Sequence, residues 1–221
     1  MPRAITKLVY QFDELSESAK EKARDWWRGC LDENDCDAVI EDAVTMAALL
    51  GIDIDSRNWT NRYGFSGSTP KIYWSGFCSQ GAGARFEGSY RYKRGAPATI
   101  KAETSAGRED ASKGDKELLR IAQGLQNVQR TAFYSLTASI EAGHNSNYYS
   151  HSGTMSVDVE RSDEREVTED QEKDVKQFMK DFADWIYDQL ELENDYLNSD
   201  EAVDEAIRCN EYEFYEDGKR V

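Results

Sequence analysis

The sequence predicts an α+β fold: a mainly antiparallel sheet with helices packed on one side, and an acidic helical pair in the C-terminal part. Three observations carry this expectation. Segments with period-two alternation follow one another through connections of hairpin length. Between and after them, apolar residues recur every three to four positions, as on one face of a helix. The composition, 221 residues with 39% hydrophobic and 32% charged, is that of a globular chain long enough to bury a core. The expected organisation is a single domain over residues 1–221, with the sheet and three helices in 1–165 and an acidic helical part in 166–221.

Each element has its own local reason. Residues 5–12 alternate and are rich in β-branched and aromatic side chains, which predicts a strand. Ser16 is placed to cap a helix carrying Ala19, Ala23, Trp26, Trp27 and Cys30, with Glu17 at the positive end of the dipole. A second helix is expected over Asp37–Leu50, with Val39, Ala43, Ala47 and Leu50 on one face and Gly51 ending it. Residues 71–75 and 85–92 predict two strands of a hairpin, and the small-residue loop 76–84 forms its tip. In the second of these, Phe86, Tyr90 and Tyr92 fall on one face, and Arg85, Glu87, Ser89, Arg91 and Lys93 make a wet, mostly basic other face. Residues 95–114 read as loop, and Leu118, Ile121, Ala122, Leu125 and Val128 mark a third helix.

Strands are expected over 133–140 and 155–160, joined by the polar stretch 141–153. Thr168 and Gln171 form a capping-box pattern ahead of a long stripe of Val175, Phe178, Met179, Phe182, Trp185, Ile186 and Leu190. Ser199 caps a shorter helix with Ala202, Val203, Ala206 and Ile207, and residues 212–215 return as an edge strand.

Charge is distributed unevenly. The chain has 43 acids and 27 bases, a net charge of −16. Residues 158–217 hold 23 of those acids and 6 bases, whereas residues 56–130 hold 13 bases and 6 acids. A net charge of this sign repels nucleic acid and anionic membranes, so direct DNA binding is not expected and a basic partner is. No apolar run approaches the roughly 18 residues of a membrane span, and residues 1–7 lack the apolar core of a signal peptide, so a cytoplasmic location is expected. Cys30, Cys36, Cys78 and Cys209 form no CxxC pair, which predicts thiols and no structural zinc.

The sharpest functional signal is a row of carboxylates. On a helix, Asp170, Asp174, Asp181, Asp184, Asp188, Glu191 and Asp195 lie within about 60° of one line, opposite the apolar stripe. The row has almost no interleaved bases, although like charges at i,i+4 cost a few tenths of a kcal/mol per pair. Asp200, Glu201, Asp204 and Glu205 from the following helix could add to it. The bland alternative is a solvated helix face. Function as a decoy for a positively charged groove, as a DNA mimic, would explain why the repulsion is tolerated.

A second signal is the loop around Ser79, Gln80, Gly81 and Gly83, whose glycines allow close backbone approach to a ligand. With Arg85, Arg91 and Lys93 it could cradle a phosphate or nucleotide. No Gly-Lys-Ser/Thr follows, so it is not a Walker loop. Its bland alternative is a hairpin tip whose basic face pairs with the acidic helices of the same chain. His144 and His151, or Asp158 and Glu160, are the remaining candidates for metal or acid–base chemistry, and no catalytic motif supports them. Neither catalytic residues nor a cofactor are expected.

Residues 10–16 with 19–24, 74–81 with 86–88, and 199–204 together resemble a family of phage and prophage proteins, often labelled hypothetical or antitoxin-like. The resemblance covers most of the chain. It implies a phage-linked accessory protein acting in the infected bacterial host, a class in which inhibitors of bacterial defence are common. The functional expectation is therefore a non-enzymatic inhibitor that uses its acidic helices to bind the basic, nucleic-acid-binding surface of a host defence or toxin protein. The alternative expectation is a sponge that sequesters a nucleotide immune signal with the glycine-rich basic hairpin.

Overall fold

The computed structural model describes residues 7–31, 36–77, 81–143 and 150–221. The strands are β1 (Tyr10–Gln11), β2 (Ile52–Ile54), β3 (Ser56–Thr60), β4 (Ser66–Pro70), β5 (Ile72–Ser75), β6 (Gly83–Phe86), β7 (Gly88–Arg91), β8 (Leu136–Ala142), β9 (Met155–Arg161) and β10 (Glu213–Phe214). The helices are α1 (Glu17–Arg28), α2 (Asp37–Leu50), α3 (Ala96–Glu103), α4 (Lys113–Thr131), α5 (Glu169–Leu197) and α6 (Asp200–Cys209). Every described strand pair is antiparallel, in the sheets β2-β7-β8-β9, β1-β10, β3-β4 and β5-β6. The fold is α+β. The chain divides into two compact units, Met1–Cys36 with Leu192–Val221 and Asp37–Glu191, a division that falls inside α5. Among the described residues no helix is long and apolar enough to cross a membrane.

In the first unit, Phe12, Leu15, Ala19, Ala23, Val203, Ile207 and Phe214 form a core, with Trp26, Trp27 and Tyr212 packed on it. Trp26 meets Tyr212 edge-on at 5.2 Å and Phe214 at 5.8 Å, an aromatic geometry favoured by ring quadrupoles. The strand expected over 5–12 is shorter than alternation suggested. Residues 5 and 6 lie outside the described residues, and Phe12–Glu14 winds into a single 3-10 turn that delivers Phe12 to the core. Ser16 occupies the cap position of α1 without donating or accepting a capping bond there, and its hydroxyl instead lies 3.2 Å from that of Ser18. Ser199 does cap α6, accepting from the Ala202 amide at 3.3 Å.

In the second unit, β8 shows how the sheet is built: Leu136, Ala138, Ile140 and Ala142 point into the core and Ser139 and Glu141 point out. α5 packs on α4 and β6. The Phe178 ring comes so near Gly124 that a Cβ there would lie 2.1 Å from it, and Phe182 meets Phe86 edge-on at 5.7 Å. The capping box of α5 is formed in both directions, Thr168 N donating to Gln171 Oε1 at 3.2 Å and Gln171 N to Thr168 Oγ1 at 3.3 Å.

Several expectations are corrected here. The strand expected over 85–92 breaks at Glu87 into β6 and β7, which belong to different sheets. The stretch 95–114 contains α3, opened by Gly95 in the left-handed region with Pro97 in its first turn and Ile100 buried. The strand expected from 133 starts only at Leu136, because Phe133 and Tyr134 adopt φ 54° and 63°. Gln129 holds this turn. Its buried amide accepts from Leu136 N at 3.1 Å and donates to Leu136 O at 2.7 Å and to the Tyr90 hydroxyl at 3.2 Å. Burial pushes the Tyr90 hydroxyl up to about 12. β2, and the β3–β4 hairpin after it, were not expected.

Gln129→Ala leaves the Leu136 amide and carbonyl and the Tyr90 hydroxyl without that partner. We expect a destabilisation of about 2–4 kcal/mol in urea unfolding, and a loss below about 0.5 kcal/mol would contradict the role given to Gln129.

Candidate functional site

The carboxylates of α5 do not form one bare row. Arg120 of α4 pairs with Asp181, whose side chain is only 14% exposed, and Gln177 Nε2 donates to the same carboxylate at 2.7 Å. Lys113 Nζ lies 3.1 Å from Asp188. Arg120 also grips Glu117 and is held well above its ordinary pKa, first by that hydrogen bond and then by Asp181. Asp184 keeps contact with solvent but is crowded by protein on its other side. Its carboxyl is held above the ordinary 3.8, chiefly by desolvation, and the charges of Asp181 and Asp188 add to the rise against a hydrogen bond from Ser152. The compensating bases come from α4, which spacing along α5 cannot reveal.

Asp170 and Asp174 differ from these. Both are exposed, and among the described residues no cation lies within ion-pair distance of either. One helical turn apart, they line a cleft of about 350 Å³ together with Asn127, Val128, Thr131, Thr168 and Gln171. Gln171 Nε2 donates to Thr131 Oγ1 at 3.1 Å, which ties the α4 and α5 sides of the cleft together. Carboxylates, an asparagine amide and hydroxyls over the methyls of Val128 suit a guanidinium or ammonium group on an aliphatic stem. Proximity to the helix N-terminus favours Asp170 within the first turn, and the effect has faded by Asp174. Glu191, half-buried, also has no described ion pair.

In the first unit, α6 turns part of its charge inward. Arg24 of α1 holds Asp204 in a bidentate pair at 2.7 and 2.9 Å, Arg28 pairs with Asp200, and Arg208 pairs with Asp13 at 2.9 Å. Asp200 and Asp204 are therefore not available as a bare surface, whereas Asp195, Glu201 and Glu205 remain exposed without a described ion pair.

The glycine-rich hairpin is also rearranged. Ser79 and Gln80, like Cys78 and His144, lie outside the described residues. Gly81 sits beyond them at the start of the return toward β6, and Gly83 is buried against Ser150 and His151, where a Cβ would meet the His151 Cβ at 2.6 Å. Arg85, expected on a wet face, is 8% exposed, donates to Gly143 O at 3.0 Å and lies over the Tyr73 ring at 5.3 Å. Arg91 is exposed at the end of β7, in another sheet, and Lys93 is exposed two residues beyond it. Residues 85–93 thus present no common basic face. His151 accepts from Gly153 N through Nδ1 at 3.1 Å. Asp158 and Glu160 are exposed on β9, and among the described residues no group of three or more His, Cys, Asp or Glu side chains is placed to hold a metal ion. Cys30 and Cys209 are exposed thiols and Cys36 a buried one.

Sequence reasoning missed the β3–β4 hairpin entirely. Its signal was legible: Trp59, Tyr63, Phe65, Arg57 and Arg62 fall within residues 56–70, which contain no acid.

Residues 36–200 match the sequence profile of a family described as "Domain of unknown function (DUF8835)". The chain belongs to this family. The matched segment contains the Asp170–Asp174 cleft and the β3–β4 hairpin, while Glu201, Asp204 and Glu205 of α6 lie beyond it. No curated protein and no solved structure matches the chain.

Because Asp184 has a raised pKa, the folded protein binds that proton more tightly than the unfolded chain. Stability therefore falls as pH rises from 3.8 through the raised value, and the cost persists at neutral pH. Asp184→Asn is expected to raise the melting temperature near pH 7 and to give no gain near pH 3; the reverse pattern in thermal melts would refute this assignment.

Proposed function

We propose that this protein is a non-catalytic binding protein that engages a basic surface of a partner, seating a lysine or arginine side chain in the cleft between Asp170 and Asp174. The observation that carries this reading is the pair of exposed carboxylates lining one cleft with no described cation in reach. Two charge-assisted hydrogen bonds to a guanidinium, made over an apolar floor at Val128, would fix one side chain specifically. The remaining excess of acids in residues 158–217 steers a basic partner toward the chain and makes association salt-dependent.

The resemblance to phage and prophage proteins supports a host defence or toxin protein as that partner and inhibition as the outcome. Mimicry of DNA along the whole helix draws less support, since Asp181 and Asp188 are already neutralised by Arg120 and Lys113. A nucleotide sponge draws less still, since Arg85 is buried and separated by sheet from Arg91 and Lys93.

The test is fluorescence anisotropy of a labelled oligoarginine peptide with the full chain. Asp170→Asn with Asp174→Asn is expected to weaken binding about tenfold, the ~1.4 kcal/mol of one lost charge-assisted pair. Glu211→Gln with Glu213→Gln removes the same charge elsewhere and is expected to have little effect. Equal losses in the two variants, or none, would overturn the cleft as the binding site. Recovery from bacterial lysate of one basic protein, retained by the parent chain and not by the cleft variant, would identify the partner.

A further inference from the structure

We propose that the β3–β4 hairpin is an arm that binds single-stranded nucleic acid, stacking unpaired bases on Trp59, Tyr63 and Phe65 and meeting phosphates with Arg57 and Arg62. The inference does not depend on the acidic cleft.

The hairpin does no visible work in the core. Every residue of β3 is exposed, and so are most of β4. Trp59 is 45%, Tyr63 71% and Phe65 70% exposed, which is unusual for rings that bury 150–250 Å² each when they pack. Among the described ring contacts none joins these three to one another, so the rings stand apart and each can meet a separate base.

The rings are nonetheless held in place. The Trp59 indole packs against Gly67, where a Cβ would come within 2.5 Å of the ring, and Nε1 donates to Thr69 Oγ1 at 3.1 Å. Its inner face and its N–H are thereby satisfied, leaving the outer face as a preorganised platform. At the tip, Asn61 N donates to Phe65 O at 2.8 Å, and Asn61 Oδ1 accepts from Tyr63 N at 2.9 Å and Phe65 N at 3.1 Å. Gly64, at φ 84°, supplies the left-handed residue that closes such a loop. The Arg62 guanidinium stands 4.8 Å over the Tyr63 ring. Arg57 and Trp59, two residues apart on β3, share one face of the ribbon, opposite Thr69 and Gly67.

Charge sets the class of ligand. Residues 56–70 carry two arginines and no acid in a chain of net −16. At the base of the ribbon Lys71 bridges Asp55 at 3.4 Å and Glu87 at 2.8 Å, which offsets the nearest carboxylates. The five residues of β3 carry the tip about 17 Å from the base of the ribbon, roughly two Debye lengths at physiological salt, so repulsion from the carboxylates at the base is largely screened at the tip. Exposed ring faces with arginine between them match unpaired bases on a phosphate backbone. A duplex keeps its base faces stacked, and two arginines supply too few phosphate contacts to hold one by charge alone.

The test uses the full chain and a fluorescein-labelled oligothymidylate of about 15 nucleotides, followed by anisotropy at about 150 mM salt. Saturable binding is expected, with a duplex of the same length at least about tenfold weaker. Trp59→Ala with Tyr63→Ala should weaken binding about tenfold or more, and Trp59→Phe should restore most of it. Arg57→Ala with Arg62→Ala should lower the slope of log K against log salt by about 1.4. Should Trp59→Ala disturb the ribbon itself, Tyr63→Ala at the tip gives the same readout alone. Absence of binding, equal binding to the duplex, or indifference to the ring substitutions would overturn the proposal. So would capture of a protein by the hairpin without any oligonucleotide binding.

Discussion

Burial of the apolar stripe of α5 decides where each carboxylate on that helix can go. Val175, Met179, Phe182, Ala183, Ile186 and Leu190 are inaccessible to solvent or nearly so, and each large side chain among them contributes about 1.5–3 kcal/mol on burial. A surface ion pair contributes about 0–1 kcal/mol, so the stripe fixes the rotation of the helix and the charges must accept the result. With that rotation set, Asp181 and Asp188 fall beside Arg120 and Lys113 of α4, Asp184 falls into a crowded position that raises its pKa, and Asp170 and Asp174 are left over an open cleft. The same helical spacing thus yields three electrostatic environments.

A parallel logic operates around β6 and β7. An arginine on a short strand is expected to face water, yet Arg85 is drawn inside by a carbonyl acceptor at Gly143 and by the Tyr73 ring. Charged groups tolerate burial when hydrogen-bonded and stacked, and this one serves packing. Gln129 does similar service from α4, supplying to Leu136 the two hydrogen bonds that a neighbouring strand would otherwise make. Buried polar groups here organise the backbone, and the exposed ones are the candidates for recognition. The Asp37–Glu191 unit accordingly carries two exposed features of opposite charge, a carboxylate cleft on α5 and an aromatic, arginine-bearing ribbon at β3–β4.

Much of the framework was legible in the residues. The caps at Ser199 and at Thr168 with Gln171, the stop at Gly51, the stripe of α5, the hairpin of β5 and β6, and the return of β10 follow from local chemistry, and the α+β class follows from their order. What failed to read locally failed for identifiable reasons. α3 is short and opens on Gly95-Ala96-Pro97, which resembles a turn until Ile100 is seen buried. The break at Glu87 lies inside an unbroken alternating pattern, and the delayed start of β8 depends on a side chain seven residues upstream.

By itself the sequence determined the periodicities, the caps, the concentration of acid in the last third and an acid-free run at residues 56–70, because these depend only on residue type and spacing. Tertiary structure decided which charges are compensated, since the partners of Asp181, Asp188 and Asp204 lie 61, 75 and 180 residues away along the chain. Spacing along one helix places side chains on a face, but only packing against a second helix determines whether that face meets water or a cation.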